Sequence, residues 1–224
     1  MSTLGDARRE RLARARLYLV TDARQAEGDL DAFLESVLAA GVDIVQLREK
    51  DAEAGDLLRW SPAFRQAADR HGALFVLNDR PDVAVAARAD GVHVGQNDLP
   101  PGAVRDIVGS DVLIGLSTHS RVEYDDAAPE AEYLCAGPVY ATPTKPGRPA
   151  TGLEAVRHAA SREREGNESR PWFAIGGIDS ATLAATVRAG ASRVVVVRAI
   201  TEATDPVSAV SRLRSGLAEA QPTA

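Results

Sequence analysis

Apolar residues along the chain fall into eight short runs of β type, and a stretch with helical period follows each run. Between Leu30 and Leu38, for example, apolar residues recur at steps of three and four residues, and Gly41 then gives a stop signal. Strands and helices that alternate in this way over 224 residues predict a (β/α)₈ TIM barrel. The predicted strands are Leu17–Val20, Ile44–Leu47, Leu74–Leu77, Gly91–Val94, Leu113–Leu116, Tyr133–Ala136, Trp172–Ile175 and Arg193–Val197.

The helical segments differ in how clearly they are delimited. The segment from Leu57 to Ala68 ends at Gly72 but contains Pro62, which predicts a kink or a broken start. The Arg-rich beginning, Arg8–Arg16, predicts a solvated amphipathic helix, so residues 1–16 form an extension of one domain that spans residues 1–224. The other predicted helices are Pro81–Ala89, Gly102–Val108, Arg121–Ala127, Leu153–Arg164, Ser180–Ala189 and Pro206–Ala220.

An open, doubly wound sheet would also alternate strands and helices. A dinucleotide-binding sheet of that kind carries a Gly-x-Gly-x-x-Gly turn after its first strand, whereas Thr21-Asp22-Ala23-Arg24 stands there in this chain. The barrel is therefore favoured. In such a barrel the chemistry lies on the loops that follow the carboxyl ends of the strands.

Composition narrows the function classes. The net charge is −6 and no basic run is interleaved with aromatic residues, so we expect no nucleic-acid partner. The single cysteine, Cys135, has no disulfide partner in the chain, which fits a reducing compartment. No apolar segment is long enough for a signal peptide or a membrane span, so we expect a cytoplasmic protein without a membrane partner.

Two kinds of charged group follow the predicted strands. Arg48, Lys50 and Lys145 are cations suited to phosphate oxygens, while Asp79 and Asp98 are carboxylates suited to a hard divalent ion. One or two carboxylates beside phosphate ligands is the composition that Mg²⁺ prefers, so the sequence predicts a Mg²⁺ site. Two simpler interpretations stay open: Asp79 would cap the helix that begins near Pro81, and Asp98 would be only a turn residue.

A second group of residues suggests phosphate binding. In the segment Tyr140–Lys145, Thr142, Thr144 and Lys145 place two hydroxyls and an ammonium around a proline. The pair Gly176-Gly177 follows the seventh strand and would offer backbone N–H groups, and in barrels the loops after strands seven and eight often hold a phosphate. We therefore expect a phosphate between these loops.

Two histidines and the cysteine have simpler explanations than catalysis. Alternation along Gly91–Gly95 leaves His93 pointing into or out of the barrel, and a satisfied interior histidine is the preferred interpretation. His119 lies on a loop and is more available. Cys135 is expected to be a small buried hydrophobe.

Eight short blocks of sequence, in this order, resemble the thiamine-phosphate synthase family, and the resemblance covers the chain from the first strand to the last. Several of the blocks are individually unusual, so their ordered combination is far more specific than a lone glycine motif. The blocks are YLVTD at 18–22, QLREK at 46–50, NDR at 78–80, DGVHVGQNDL at 90–99, GLSTH at 115–119, GPVYATPTK at 137–145, AIGGI at 174–178 and VRAI at 197–200.

The resemblance implies a reaction and the residues that carry it. A pyrimidine diphosphate would give its pyrimidinylmethyl group to the nitrogen of a thiazole phosphate, in a Mg²⁺-dependent, dissociative displacement that releases pyrophosphate. The metal ligands map to Asp79 and Asp98, and a homodimer is the family's usual assembly. The pyrimidine-diphosphate site maps to Gln46, Arg48, Lys50, Asn78, Ser117 and Lys145, and the thiazole-phosphate site to Thr142, Thr144, Gly177, Val197 and Arg198.

Within that assignment, Ser117, Arg48 and Lys145 are the residues expected nearest the chemistry, and Lys145 is hypothesised to bridge the two substrates. Arg198 departs from the family pattern, because many relatives carry a small hydroxyl residue there; its side chain would either add a bond to the phosphate or point to solvent. Two other functions stay open: a thiazole tautomerase of the same fold, with His119 as the proton-transfer residue, and a non-catalytic protein that binds phosphorylated ligands.

Overall fold

A computed structural model describes residues 3–142 and 150–219 of the chain. In these residues eight parallel strands close into a barrel in chain order, and the eighth strand pairs with the first. The TIM barrel predicted from the sequence is therefore confirmed and the open sheet is wrong. The strands are β1 (Leu17–Thr21), β2 (Ile44–Leu47), β3 (Leu74–Asn78), β4 (Gly91–Val94), β5 (Leu113–Thr118), β6 (Tyr133–Ala136), β7 (Trp172–Ile175) and β8 (Val194–Val196).

Helices precede the barrel and connect its strands. One four-residue helix, directly after β8, is an element that the hydrophobic pattern did not predict. The helices in the described residues are α1 (Leu4–Arg14), α2 (Leu30–Ala39), α3 (Ala54–His71), α4 (Pro81–Ala86), α5 (Pro101–Val108), α6 (Arg121–Asp125), α7 (Leu153–Arg164), α8 (Leu183–Arg188), α9 (Arg198–Thr201) and α10 (Pro206–Ala218).

The structure corrects the predicted course of α3 and the predicted start of α8. Helix α3 runs unbroken from Ala54 to His71 with Pro62 inside it, so the broken start expected at the proline is wrong. Helix α8 begins at Leu183 rather than at Ser180. The carboxylate of Asp179 accepts from the backbone N–H groups of Ala181 and Thr182, both at 2.9 Å, and this turn delays the start of the helix.

The apolar residues form two cores. A large outer core fills the space between the barrel and its helices. A smaller inner core fills the barrel itself, where Tyr18, Tyr133 and Phe173 are fully buried and meet edge to face. Ile175, at the carboxyl end of β7, and Val197, just after β8, pack against this inner core.

Helix α1 closes the amino-terminal end of the barrel. Its Leu12, with Ala15 just beyond the helix, joins the inner core, so the helix is not simply solvated as predicted. Arg8 donates from Nε to Asp90 at 2.9 Å, and Arg65 of α3 donates from Nη1 to the same carboxylate at 2.7 Å. The Asp90 side chain is 4% exposed and also accepts the Phe75 N–H, so a buried charge cluster fastens α1 to the barrel.

Among the residues that the structure describes, none of the helices combines the length and the apolar character needed to cross a membrane.

Candidate active site

A cavity of about 540 Å³ opens at the carboxyl ends of the strands. Its wall unites side chains that the sequence analysis had assigned to the pyrimidine diphosphate and the metal. These residues come from five different strand ends, so only the closed barrel brings them together. The predicted residues that line it are Gln46, Arg48, Lys50, Asn78, Asp79, Asp98, Ser117 and Val197.

A second cavity, of about 290 Å³, adjoins the first. Four residues belong to the lining of both cavities, so the two spaces are neighbours: His119, Ile175, Val195 and Val197. The second cavity contains the predicted thiazole-phosphate residues that fall within the described part of the chain, namely Thr142, Gly177, Val197 and Arg198. Thr144 and Lys145 lie outside the described residues, so their predicted contacts, including the bridging role of Lys145, stay predictions.

Asp79 and Asp98 face each other across the rim of the larger cavity. Burial raises the pKa of Asp79 most strongly, and the charge of Asp98 and a hydrogen bond between the two side chains raise it further. Asn78 and Lys50 act in the opposite direction, since they stabilise the ionised form. A pair of carboxylates that disfavours its own ionisation is a suitable receptor for a divalent cation.

The backbone of Asp79 shows how it is held in place. Its φ is +61°, in the left-handed region that non-glycine residues seldom occupy, and its N–H donates to the His93 carbonyl at 2.8 Å. The cap residue of helix α4 is Arg80, without a side-chain cap bond. The simpler interpretation of Asp79 as a helix cap is therefore wrong, and a tertiary contact maintains the strained conformation.

Asp98 combines two roles. Its carboxylate accepts the Gly95 N–H at 2.7 Å, so the turn interaction expected for this residue is present. The same side chain interacts with Asp79 and lines the cavity. The turn orients the carboxylate towards its partner.

The two cations on the loop after β2 differ in exposure. Arg48 is half-buried and its N–H donates to the Thr21 carbonyl at 2.9 Å, while Lys50 is exposed. No ion pair between described residues uses either side chain. Both residues line the larger cavity, together with the carboxylates of Asp79 and Asp98.

The double glycine after β7 packs directly against the beginning of the loop after β6. Gly177 has φ +63°, and a Cβ atom there would lie 2.8 Å from Tyr140 Cβ and 3.2 Å from the Ala141 carbonyl oxygen. Gly176 has φ +104°, and its Cβ would lie 2.5 Å from Pro138 Cα. Only glycine allows these two loops to approach so closely, which places Thr142 and Gly177 in the same cavity as expected.

The predicted metal set contains two carboxylates and no more. Among residues 3–142 and 150–219, no group of three or more His, Cys, Asp or Glu side chains is arranged to hold a metal ion. Zinc and other transition metals take three or four protein ligands, whereas Mg²⁺ is held by one or two carboxylates together with substrate phosphate oxygens and water. The pair Asp79 and Asp98 therefore fits Mg²⁺.

His93 is an interior histidine with its polar atoms satisfied, as the sequence analysis preferred. It is buried, and its ring nitrogens contact Tyr133 Oη at 3.2 Å and Ser117 Oγ at 2.9 Å. His119 is half-buried and its Nδ1 contacts the Gly137 carbonyl at 2.7 Å. Cys135 is buried, as expected.

Comparison with known proteins decides the family. Residues 17–200 match the sequence model of the family described as thiamine monophosphate synthase, which is most of the chain. The chain belongs to the thiamine monophosphate synthase family. It is therefore a transferase, and the resemblance noted in the sequence is confirmed.

Individual relatives agree with the family assignment. The chain is 56% identical over 212 residues to the thiamine-phosphate synthase of Acidothermus cellulolyticus, an alignment that covers 93% of this chain and 98% of the relative. It is 51% identical over 220 residues to the thiamine-phosphate synthase of Mycobacterium tuberculosis, covering 94% and 98% of the two chains.

Solved structures resemble the barrel as well. A thiamine phosphate pyrophosphorylase from Pyrococcus furiosus superposes with a TM-score of 0.82 at 30% identity, covering 96% of this chain and 99% of the other. A 3-hexulose-6-phosphate synthase superposes with a TM-score of 0.65 at 21% identity, covering 90% and 99%. The second likeness concerns the fold alone.

Two tyrosines of the synthase cavity were missed by the sequence analysis. Tyr18 lines the larger cavity, and Tyr133 lies beneath His93 in the barrel interior. The available signal was the alternation along β1 and β6, which points both side chains inward. Their partners depend on how the barrel closes, which the alternation along one strand does not specify.

Proposed function

We propose that the protein joins a pyrimidinylmethyl group to the nitrogen of a thiazole phosphate, with Mg²⁺ held by Asp79 and Asp98. The observation that carries this proposal is the pair of adjoining cavities with different linings. One contains cations and paired carboxylates, and the other contains the glycine-rich phosphate loops. Two phosphorylated substrates of different shape need such an arrangement.

The larger cavity is proposed to bind the pyrimidine diphosphate. Arg48, Lys50 and Asn78 would bind the diphosphate oxygens, and Gln46 and Ser117 would bind the ring at the buried end of the cavity. When bound, Mg²⁺ would neutralise negative charge on the diphosphate. Lys145 is proposed to contact the same diphosphate and Thr144 the thiazole phosphate, as the family resemblance implies.

The smaller cavity is proposed to bind the thiazole phosphate. Residues after β7 and after β8 line this cavity, and their backbone N–H groups are proposed to bind the phosphate together with the Thr142 hydroxyl. The Arg198 side chain is exposed and forms an ion pair with Glu202 at 3.9 Å, so the backbone around Val197 and Arg198 is proposed to make the contact.

The chemistry then requires little covalent participation from the protein. The carbon–oxygen bond to the diphosphate breaks and its electron pair leaves with the diphosphate, so Arg48 and Lys50 stabilise charge that develops in the transition state. The aminopyrimidine can carry the positive charge left on its methylene carbon. The thiazole nitrogen then supplies the electron pair of the new bond, and the protein's remaining task is to position it.

One experiment tests the function directly. Purified protein is mixed with both substrates, with and without Mg²⁺, and pyrophosphate and thiamine phosphate are measured together. We expect equal amounts of both products, only when the metal is present. Metal-independent isomerisation of the thiazole phosphate would indicate a tautomerase, and binding without pyrophosphate release would indicate a non-catalytic protein; either result would overturn the proposal.

Variants test the metal site in the same assay. Asp79→Asn and Asp98→Asn should each lower kcat/KM by about 100-fold or more, since metal stabilisation of charge is worth several kcal/mol. Asp106→Asn, an exposed position on α5, serves as the matched control. The homodimer expected from the family resemblance is a separate prediction, to be checked by light scattering.

A further inference from the structure

An unbroken chain of side-chain hydrogen bonds crosses the interior of the barrel beneath the larger cavity. Gln46 donates from Nε2 to Tyr18 Oη, which lies 3.0 Å from Tyr133 Oη. Tyr133 Oη is 3.2 Å from His93 Nδ1, and His93 Nε2 is 2.9 Å from Ser117 Oγ. The chain thus begins and ends at two side chains that line the cavity.

The donor inventory gives this chain a direction. An amide nitrogen only donates, so Tyr18 Oη accepts from Gln46; either phenol could donate in the next bond, and the arrangement that gives the Tyr18 hydrogen an acceptor directs it to Tyr133 Oη. Tyr133 then donates to His93 Nδ1. A histidine that accepts at Nδ1 carries its hydrogen on Nε2, and that hydrogen points to Ser117 Oγ.

The environment of the two phenols keeps them available as donors. Burial raises the pKa of Tyr18 and of Tyr133 far above the ordinary range of a tyrosine, so both hydroxyls keep their protons at neutral pH. In the interior of a protein such a chain is also mutually polarised.

Gly115 provides the space that the hydrogen-bond chain from Gln46 to Ser117 requires. A Cβ atom at this position would lie 2.1 Å from Tyr133 Cζ, 2.4 Å from Tyr133 Oη and 2.5 Å from His93 Nδ1. None of these distances is tolerable for a real side chain. The glycine of the GLSTH block is thus explained by the contact between Tyr133 and His93, and not by a turn.

We propose that Tyr18, Tyr133 and His93 are positioning residues that fix the hydrogen-bonding polarity of the substrate cavity. Because Ser117 Oγ accepts from His93, its own hydrogen is directed into the cavity and Ser117 acts there as a donor. Because Gln46 uses an amide N–H on Tyr18, its carbonyl oxygen is left to accept. A donor at one end of this hydrogen-bond chain and an acceptor at the other match an aminopyrimidine, which offers both an acceptor ring nitrogen and a donor amino group.

The first test does not depend on catalysis. The protein contains four histidines, and ¹⁵N-histidine labelling with long-range ¹H–¹⁵N NMR distinguishes the two neutral tautomers. The His93 signals are identified by removing the others with His71→Gln, His119→Gln and His158→Gln. In the ligand-free protein we expect the Nε2–H tautomer; an Nδ1–H tautomer would reverse the chain and overturn the proposal.

The second test separates positioning from stability and rests on the proposed function. Tyr133→Phe removes the donor to His93 Nδ1, so kcat/KM for the pyrimidine diphosphate should fall by about five- to tenfold, the usual effect of one hydrogen bond. The KM for the thiazole phosphate should not change. Tyr18→Phe breaks the hydrogen-bond chain between Gln46 and Tyr133, so the preference of His93 for the Nε2–H tautomer should weaken there.

The matched control is Tyr124→Phe. The Tyr124 side chain is equally buried on helix α6, and its hydroxyl has no hydrogen-bond partner among the described residues. Its removal should affect neither substrate. If Tyr133→Phe raised both KM values equally, or matched the control, the chain would be merely structural and the positioning role would be wrong.

Discussion

Replacing Asp90 with alanine should destabilise the protein strongly while leaving its substrate affinities intact. Asp90 lies directly before β4, at the end of the barrel opposite the cavities. Its carboxylate accepts from Arg8 Nε at 2.9 Å, from Arg65 Nη1 at 2.7 Å and from the Phe75 N–H at 2.9 Å. The alanine variant would leave two largely buried guanidinium groups without their counter-charge.

The size of the effect follows from these contacts. Breaking a buried ion pair by removing one partner costs about 3–5 kcal/mol. For a domain of about 200 residues, 1 kcal/mol shifts Tm by about 2–4 °C, so Tm should fall by about 6–20 °C. The exposed position Asp106 gives the matched control, because surface substitutions of this kind change stability by about 0.5 kcal/mol or less.

The measurement is a thermal melt by circular dichroism, combined with initial-rate kinetics at a temperature where all variants are folded. A double-mutant cycle with Arg8→Ala adds the contribution of helix α1, since Arg8 belongs to that helix. A fall in Tm of less than 2 °C for Asp90→Ala, or a KM raised for either substrate, would refute the reasoning that this cluster only fastens α1 to the barrel.

Three further predictions concern the site. Gly177→Ala should raise the KM for the thiazole phosphate by about tenfold or more with little change for the pyrimidine diphosphate, because a left-handed alanine is strained and would meet Tyr140. Without Mg²⁺, the free energy of unfolding measured with urea should decrease as pH rises from about 3.8, the ordinary aspartate pKa, through the raised pKa of Asp79. The reason is that the folded state binds the Asp79 proton more tightly than the unfolded state does. Asp79→Asn should therefore flatten this pH dependence. Arg198→Ala should change the calorimetric affinity for the thiazole phosphate by less than about twofold, and a larger loss would show that its side chain binds the phosphate.

The sequence predicted features that depend on the residues of a single strand, such as where a strand begins. It did not predict features that depend on the pairing of two strands, such as where the hydrogen-bonded ladder ends. The starts of seven strands agree with the structure, but β1, β3 and β5 extend to Thr21, Asn78 and Thr118, beyond the apolar runs. These terminal residues are polar because the rim of the barrel is the site, so the hydrophobic pattern ends before the hydrogen-bonded ladder does. For that reason the predicted β1, β3 and β5 are shorter than the strands in the structure.

The features of the candidate site likewise divide into those that the sequence predicted and those that depend on contacts between strands. The metal pair was predictable, since Asp79 and Asp98 each follow a strand and such positions meet at one rim. The left-handed backbone of Asp79 was not, because it depends on the His93 carbonyl, which belongs to another strand. The same holds for the space at Gly115, which is needed only because β5 pairs with β6 in a register that brings Tyr133 alongside.

The shared lining of the two cavities has a consequence for turnover. His119, Ile175, Val195 and Val197 line both spaces, so under the proposed assignment of the substrates a molecule made by joining them would occupy both at once. Such a product is in effect a bisubstrate ligand, held by every contact that held its precursors except those to the departed diphosphate. The product should therefore compete with both substrates. Product release, rather than bond formation, would then be the rate-limiting step of turnover.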